Sequence, residues 1–105
     1  MYSIKNNMIS LTRGDTLHIP VSTNGDYLFG PNDIVEMTVR ESSSVGASKL
    51  FHIIGDMDHV IHILPEHTSD LDYGTYMYDI QATLENGDVT THGPYKFKIL
   101  PEVTY

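Results

Sequence analysis

Strict alternation of apolar and polar side chains runs through most of this chain. The longest stretch covers residues 76–84, where Tyr76, Tyr78, Ile80, Ala82 and Leu84 alternate with Met77, Asp79, Gln81 and Thr83. Because successive side chains of a β-strand point to opposite faces of its sheet, this stretch predicts a strand with one apolar face. Apolar residues at helical spacing are almost absent, so we predict an all-β chain.

Six further segments show the same alternation, or a short apolar run between turn residues. They predict strands at Met8–Leu11, Thr16–Val21, Val35–Arg40, Lys49–Ile54, Asp58–Leu64 and Tyr95–Ile99. Seven short strands in a chain of 105 residues are typical of a two-sheet sandwich of the immunoglobulin type. A chain of this length has enough apolar surface for one core. We therefore predict that residues 1–105 form a single immunoglobulin-like Greek-key β-sandwich domain of about seven strands in two sheets.

Two turns are predicted at glycines. Asn86-Gly87 lies between two strand patterns, and an Asn-Gly pair accepts the positive φ angles of a two-residue type I′ turn, so we predict a tight hairpin there. Arg13-Gly14-Asp15 lies between the first two predicted strands, where a glycine flanked by charged residues is an expected turn. Adhesion receptors read the same tripeptide in other proteins, but turning is a sufficient explanation of it here.

The segment before the longest strand has the spacing of a tyrosine corner, Leu71-x-x-Gly74-x-Tyr76. In such a corner, a tyrosine at the start of the penultimate strand donates a hydrogen bond back to a nearby backbone group. We predict that Tyr76 is the corner residue and that Leu71 plugs the end of the sandwich. Gly74 is expected to let the chain turn without a clash at Cβ.

Charge and composition narrow the classes of function. Fourteen acidic against six basic side chains give a formal charge of −8, which repels phosphate backbones and anionic lipids. We therefore expect neither nucleic acid nor a membrane as a partner. The chain has no cysteine, which excludes disulfides and thiolate metal sites and fits synthesis in a reducing cytoplasm. Its first residues lack the apolar run of a secretion signal, and no run of 18 apolar residues occurs.

Histidines are the candidate metal ligands or general bases in a chain without cysteine. His59 and His62 are three residues apart, so on one strand they point to opposite faces and do not chelate one ion unless a bulge intervenes. His52 could meet His62 only if their strands pair. No nucleophile elbow, phosphate-binding loop or zinc-protease motif occurs in the sequence. We therefore expect no catalysis, no cofactor and no metal.

Several aromatic residues fall in predicted loops or near the ends of the chain, namely Tyr2, Tyr27, Phe29, Tyr73 and Tyr105. Exposed aromatic rings stack on sugars or on partner proteins. Nothing in the sequence makes these rings converge on one flat platform. Contact with protein is therefore the simpler interpretation, and carbohydrate binding stays an unsupported alternative.

Three segments together resemble a known family: LTRGDTLHIPV (11–21), VEMTVRES (35–42) and LPEHTSDLDYGTYMYDIQATLENGDVTTHGPYKFKILPEVT (64–104). They are similar to the small immunoglobulin-like domain of bacteriophage tail and baseplate proteins, the kind found at the N-terminus of upper baseplate proteins. The matching elements are the turn at Thr12–Thr16, the corner segment Leu71–Ile80 and the closing Val103-Thr104. The resemblance covers nearly the whole chain and implies a virion structural module without catalysis.

This resemblance implies a function. We expect a non-catalytic structural or assembly module of a bacteriophage or prophage particle, in the tail or baseplate, made in the bacterial cytoplasm and located in the virion. The expected partners are other virion proteins and further copies of the chain in a cyclic homo-oligomer. The alternatives are a host-surface or carbohydrate-binding module on the virion, a capsid decoration protein, and a bacterial adhesion domain.

Overall fold

The computed structural model describes residues 2–5, 7–21, 29–42 and 48–101, and for residues 2–5 the backbone alone. These residues form eight strands and one helical turn: β1 (Tyr2–Lys5), β2 (Met8–Thr12), β3 (Leu17–Pro20), β4 (Ile34–Arg40), β5 (Lys49–Ile54), β6 (Val60–Ile63), α1 (Pro65–Thr68), β7 (Gly74–Thr83) and β8 (Val89–Leu100). Each of the seven predicted strands corresponds to one of them. The additional strand, β1, has four residues and was not predicted.

The strands of the described residues form two sheets. The larger sheet has the order β1-β2-β8-β7-β4-β5, and the smaller sheet pairs β3 with β6. Neighbouring strands are antiparallel except β2 and β8, which run parallel. The prediction of an all-β chain with two sheets is confirmed, and the arrangement is compatible with a sandwich.

One apolar core joins the two sheets. The larger sheet contributes Ile9, Leu11, Val35, Met37, Val39, Ile53, Tyr78, Phe97 and Ile99, and the smaller sheet contributes Leu17, Ile61 and Ile63. Buried positions alternate with more exposed ones along β4 and β6, as the period of two predicts. Burying one such aliphatic side chain stabilises a fold by roughly 1.5–3 kcal/mol. This core therefore holds the two sheets together in a chain that has no disulfide.

Strand β8 begins well before its predicted start at Tyr95. Residues 89–94 are exposed on both faces, so they carry no apolar alternation that could predict a strand. Pro94 also argues against a strand, but proline is tolerated at a bulge. Such a bulge is present, because β8 places Gly93 and Pro94 opposite the single residue Asp79 of β7. The Gly93–Pro94 peptide bond is cis.

Strands β7 and β8 form the predicted hairpin, but the predicted type I′ turn is wrong. That turn requires positive φ at both central residues, and of Asn86 and Gly87 only Gly87 has it, at +95°. Gly87 N donates to Leu84 O (2.9 Å) and Leu84 N donates to Asp88 O (2.8 Å), which closes a three-residue loop. The side-chain oxygen of Asn86 accepts a hydrogen bond from Asp88 N (2.9 Å) and so stabilises the longer loop.

Candidate functional site

The predicted tyrosine corner contains a hydrogen bond from the ring to the backbone. Tyr76 Oη donates to Asp72 O across 2.7 Å. Leu71, however, is only half-buried and lies outside the core, so its predicted role as a plug is wrong. The fully buried side chain nearby in the sequence is that of Thr68, at the end of α1. A Cβ on Gly74 would meet no atom within 4 Å, so it is the φ of +150°, and not a clash, that favours glycine there.

Arg13, Gly14 and Asp15 form a turn between β2 and β3. Asp15 N donates to Thr12 O across 3.0 Å, which closes a four-residue β-turn. Gly14 has a φ of +84°, the value that the third position of a type II turn requires and that glycine adopts without strain. Arg13 N donates to Leu100 O across 3.0 Å, so the turn is also tied to the end of β8.

The side chain of Arg13 lies across the segment between α1 and β7. Its Nη1 donates to Leu71 O at 3.2 Å, and its Nη2 donates to Tyr73 Oη at 2.9 Å. The guanidinium carbon lies 4.3 Å from the centroid of the Tyr73 ring, a cation–π contact. Beside it, Gly14 N donates to the buried Thr68 Oγ1 at 2.9 Å. We call Arg13, Gly14, Thr68, Leu71 and Tyr73 the Arg13 clasp.

The hydrogen bonds of the Arg13 clasp argue against the Arg-Gly-Asp tripeptide as an adhesion ligand. An adhesion ligand presents both its guanidinium and its carboxylate to the receptor, whereas the guanidinium of Arg13 already binds groups of its own chain. A receptor would have to break these hydrogen bonds, and each is worth about 0.5–1.5 kcal/mol or more. The geometry therefore favours a turn that fastens two parts of the fold together.

Replacing Thr68 by valine is expected to lower the free energy of unfolding by about 1–3 kcal/mol. Valine has a similar volume, but it leaves Gly14 N without its acceptor in a partly buried position. Thr75→Val in β7 is the matched control, because it makes the same chemical change at an exposed position. Urea denaturation measures both variants, and equal midpoints would contradict a stabilising role for the clasp.

A polar cluster that the sequence did not predict lies on the outer face of the smaller sheet. His18 of β3 is directly opposite His62 of β6, and the two rings meet edge to face with their centroids 4.8 Å apart. Nδ1 of His18 lies 2.6 Å from Nδ1 of His62. Nε2 of His62 lies 2.6 Å from Asp56 Oδ2. These contacts form a continuous chain of hydrogen bonds, the His18–His62–Asp56 chain.

Asp56 anchors this chain through both of its carboxylate oxygens. Its Oδ1 accepts hydrogen bonds from Asp58 N at 2.9 Å and from Val60 N at 3.1 Å. The hydrogen bond from His62, followed by that from Val60 N, lowers the pKa of the Asp56 carboxyl below its ordinary value. Because an ionised carboxylate only accepts hydrogen bonds, the hydrogen between Asp56 and His62 is on Nε2 of His62.

The other two histidines considered from the sequence lie apart from this chain of hydrogen bonds. His52 does not meet His62, because its strand β5 pairs with β4 in the larger sheet, and its Nε2 lies 3.2 Å from Glu36 Oε2. His59 precedes β6, is buried, and has a φ of +62°. Its Nε2 lies 3.0 Å from Asp33 O, which gives this ring a structural contact inside the fold.

The two predicted surface aromatics whose side chains are described already have stacking partners. Tyr73 is 49% exposed and carries the guanidinium of Arg13 on its ring. Phe29 is half-buried and stacks on His59, with the ring centroids 4.9 Å apart. The remaining side chains lie outside the described ones: Tyr2, Tyr27 and Tyr105. The described rings therefore give the carbohydrate alternative no support.

The larger sheet has an open edge along the first part of β8. On one side β8 pairs with β7 from Val89 to Ile99, whereas on the other side it pairs with β2 only from Phe97 to Leu100. In the described part of the chain, no strand lies on the outer side of Val89–His92. These four residues are exposed, include no Asp, Glu, Lys or Arg, and are mostly β-branched, a composition that favours strand pairing. We call Val89–His92 the open edge.

No protein family, curated protein or solved structure matches this chain. The resemblance to the phage domain rests on three sequence segments alone, and the closing element of the third segment, Val103-Thr104, lies outside the described residues. Within the described ranges, no helix has the length and apolar character needed to cross a membrane.

Proposed function

We propose that this chain is an immunoglobulin-like Greek-key domain that serves as a non-catalytic structural module of a bacteriophage or prophage particle, in the tail or baseplate. It acts by binding neighbouring virion proteins or further copies of itself. The observation that carries the proposal is the open edge, Val89–His92, to which we assign this contact.

The strand order supports the immunoglobulin-like part of the proposal. In variable-type immunoglobulin domains, the sheet that contains strands G, F and C continues with C′. The larger sheet has a corresponding order in β8, β7, β4 and β5, and the β3–β6 pair takes the place of strands B and E. Tyr76 also lies near the start of β7, the penultimate strand, and donates its hydrogen bond back to Asp72 O, as the tyrosine of a tyrosine corner does.

The chemistry of the open edge favours contact with another protein. An exposed strand presents backbone N–H and C=O groups that another strand can bind, and proteins that avoid such pairing place lysine or proline along the edge. Within Val89–His92 neither residue occurs, and the first ones along β8 are Pro94 and Lys96. A strand of a neighbouring subunit could therefore extend the larger sheet at this position.

The virion part of the proposal rests on the resemblance of the three sequence segments to the phage domain. Particles of this kind are built from rings of identical subunits with cyclic symmetry. A contact through four residues is small, but an assembly that repeats it around a ring gains avidity from the repetition. A short open edge is therefore adequate for a subunit that is held at several points.

Thr91→Lys is expected to reduce incorporation of the domain into particles by about tenfold or more, because a lysine at the centre of the open edge opposes strand addition. Thr16→Lys is the matched control, since it adds the same charge at an exposed position outside the strands. Particles are produced from a phage or prophage whose own copy of the gene is replaced by each variant, purified on a gradient, and immunoblotted.

Three outcomes of this experiment are informative. If the Thr91→Lys protein is lost from the particles and the Thr16→Lys protein is retained, the result supports the open edge as the assembly contact. Equal incorporation of both variants would show that the contact lies elsewhere on the domain. Absence of the unmodified protein from purified particles would overturn the virion role itself.

The alternative functions gain less from the geometry. Adhesion through Arg13-Gly14-Asp15 requires opening the Arg13 clasp, and sugar stacking on Tyr73 requires displacing the Arg13 guanidinium. Capsid decoration uses the same kind of protein contact as tail assembly. It differs from our proposal only in where the domain lies on the particle.

A further inference from the structure

We propose that His18 and His62 form a binding site for a divalent transition-metal ion, with their imidazole nitrogens as the ligands and Asp56 as the outer carboxylate. The proposal does not depend on the virion role. It rests on two rings that lie directly opposite each other on paired strands, with their Nδ1 atoms 2.6 Å apart.

The positions of the hydrogens follow from Asp56. His62 donates from Nε2 to the carboxylate, so the neutral ring keeps its lone pair on Nδ1, and that lone pair faces His18. Without an ion, the contact between the two Nδ1 atoms needs one hydrogen, which belongs to His18. A neutral imidazole can carry its hydrogen on either nitrogen. When His18 carries it on Nε2, two Nδ1 lone pairs converge, and no proton is gained or lost overall.

The movement needed to admit an ion is small. Bonds from imidazole nitrogen to zinc are about 2.0–2.1 Å long, so two such nitrogens in a tetrahedral site lie about 3.3 Å apart. The Nδ1 atoms therefore separate by less than about 1 Å from their present 2.6 Å. Both rings are partly or fully exposed on the outer face of the smaller sheet, whereas Leu17 and Ile63 on its other face are buried in the core. Rotation of the side chains can supply this separation without disturbing the strand pairing.

Asp56 supplies the outer partner that metal-binding histidines usually have. A ligating histidine commonly donates its second N–H to a carboxylate, which fixes the ring and makes it a better ligand. The Asp56 carboxylate is itself held by the backbone N–H groups of Asp58 and Val60. The arm formed by Asp56 and His62 is therefore in place before an ion binds.

The ligand set selects the class of metal. Imidazole suits Zn²⁺, Cu²⁺ and Ni²⁺, whereas Mg²⁺ and Ca²⁺ prefer oxygen ligands. The described residues contain no group of three or more His, Asp and Glu side chains that could hold an ion. The side chains of His62 and Asp56 are 38% and 41% exposed, so water can complete the coordination of an ion held by two histidines.

Ni²⁺ or Zn²⁺ is expected to raise the Tm of the protein by roughly 10 °C at about a hundredfold excess over the Kd, and Mg²⁺ is expected to leave it unchanged. His18→Gln and His62→Gln should each abolish the shift. Asp56→Asn should weaken binding by about 10–100-fold, as loss of an outer carboxylate usually does. His52→Gln, at an exposed histidine of β5 in the larger sheet, is the matched control and should keep the full shift.

An unchanged Tm with Ni²⁺ and Zn²⁺, or a full shift in His18→Gln, would overturn the proposal. Electron paramagnetic resonance of the unmodified protein with Cu²⁺ provides a measurement that does not depend on how the variants fold. Hyperfine coupling to the nitrogens of two imidazoles is expected. Coupling to one imidazole or to none would exclude a site shared by His18 and His62.

Discussion

Gly93→Ala is expected to lower the free energy of unfolding by about 3–5 kcal/mol, which is a large part of the roughly 5–15 kcal/mol that stabilises a small domain. Gly93 has a φ of +128°, in a region that L-residues rarely adopt. An added Cβ would also lie 2.9 Å from Tyr78 O and 3.0 Å from Asp79 Cβ. Because these atoms belong to β7, between β8 and β4, alanine forces a shift of the strands inside the larger sheet.

Gly87→Ala separates the two causes of this loss. Gly87 also has a positive φ, +95°, but a Cβ there would meet no atom within 4 Å. Alanine at this position therefore costs only the backbone conformation, about 1–2 kcal/mol. In urea denaturation we expect Gly93→Ala to be the less stable variant by about 2 kcal/mol or more. Equal losses for the two variants would contradict the close approach of Gly93 to β7.

Replacing Tyr78 by phenylalanine is expected to change how stability depends on alkaline pH. Burial, with a smaller contribution from neighbouring Tyr95, raises the pKa of Tyr78 from its ordinary value of 10.0 to about 12. The folded protein thus holds the phenol proton more tightly than the unfolded chain does. The resulting stabilisation is complete below pH 10 and is lost as the pH rises to about 12, a change of roughly 3 kcal/mol.

The comparison between the two proteins isolates this effect from other groups that titrate at alkaline pH. At neutral pH, Tyr78→Phe should be less stable by about 0.5–1.5 kcal/mol, because it loses the hydrogen bond from Tyr78 Oη to Asn7 O. Between pH 10 and 12 the difference should shrink and then reverse. Urea denaturation at a series of pH values measures it, and a difference that stays constant with pH would be inconsistent with a buried phenol in the core.

The fold was predictable wherever a strand has one buried face. Along β4 the buried residues Val35, Met37 and Val39 alternate with more exposed ones, and the sequence shows that alternation directly. The start of β8 could not be predicted in this way, because Val89–His92 is exposed on both faces and has no apolar period. The turn at Asn86-Gly87 was predicted in position but not in type, because turn type and register are linked and the exposed start of β8 has no apolar pattern that indicates the register.

The candidate sites were harder to predict, because they depend on which strands are neighbours. The sequence placed Arg13 in a turn and Tyr73 in a loop, but their contact joins residues 60 positions apart. His18 fell on a polar strand position like many others, and only the pairing of β3 with β6 brings it to His62. Alternation within a strand carries no information about its partner strand, so neither the Arg13 clasp nor the histidine pair has a local signal.

Membership of a phage particle is tested most directly by immunogold electron microscopy of gradient-purified particles from a producing culture, with antibody raised against this domain. Gold at the tail tip is the result that we predict, and gold over the head would move the domain to capsid decoration. Unlabelled particles that also lack the protein by immunoblot, in a culture whose cells contain it, would contradict the virion role and leave the two-sheet fold unaffected.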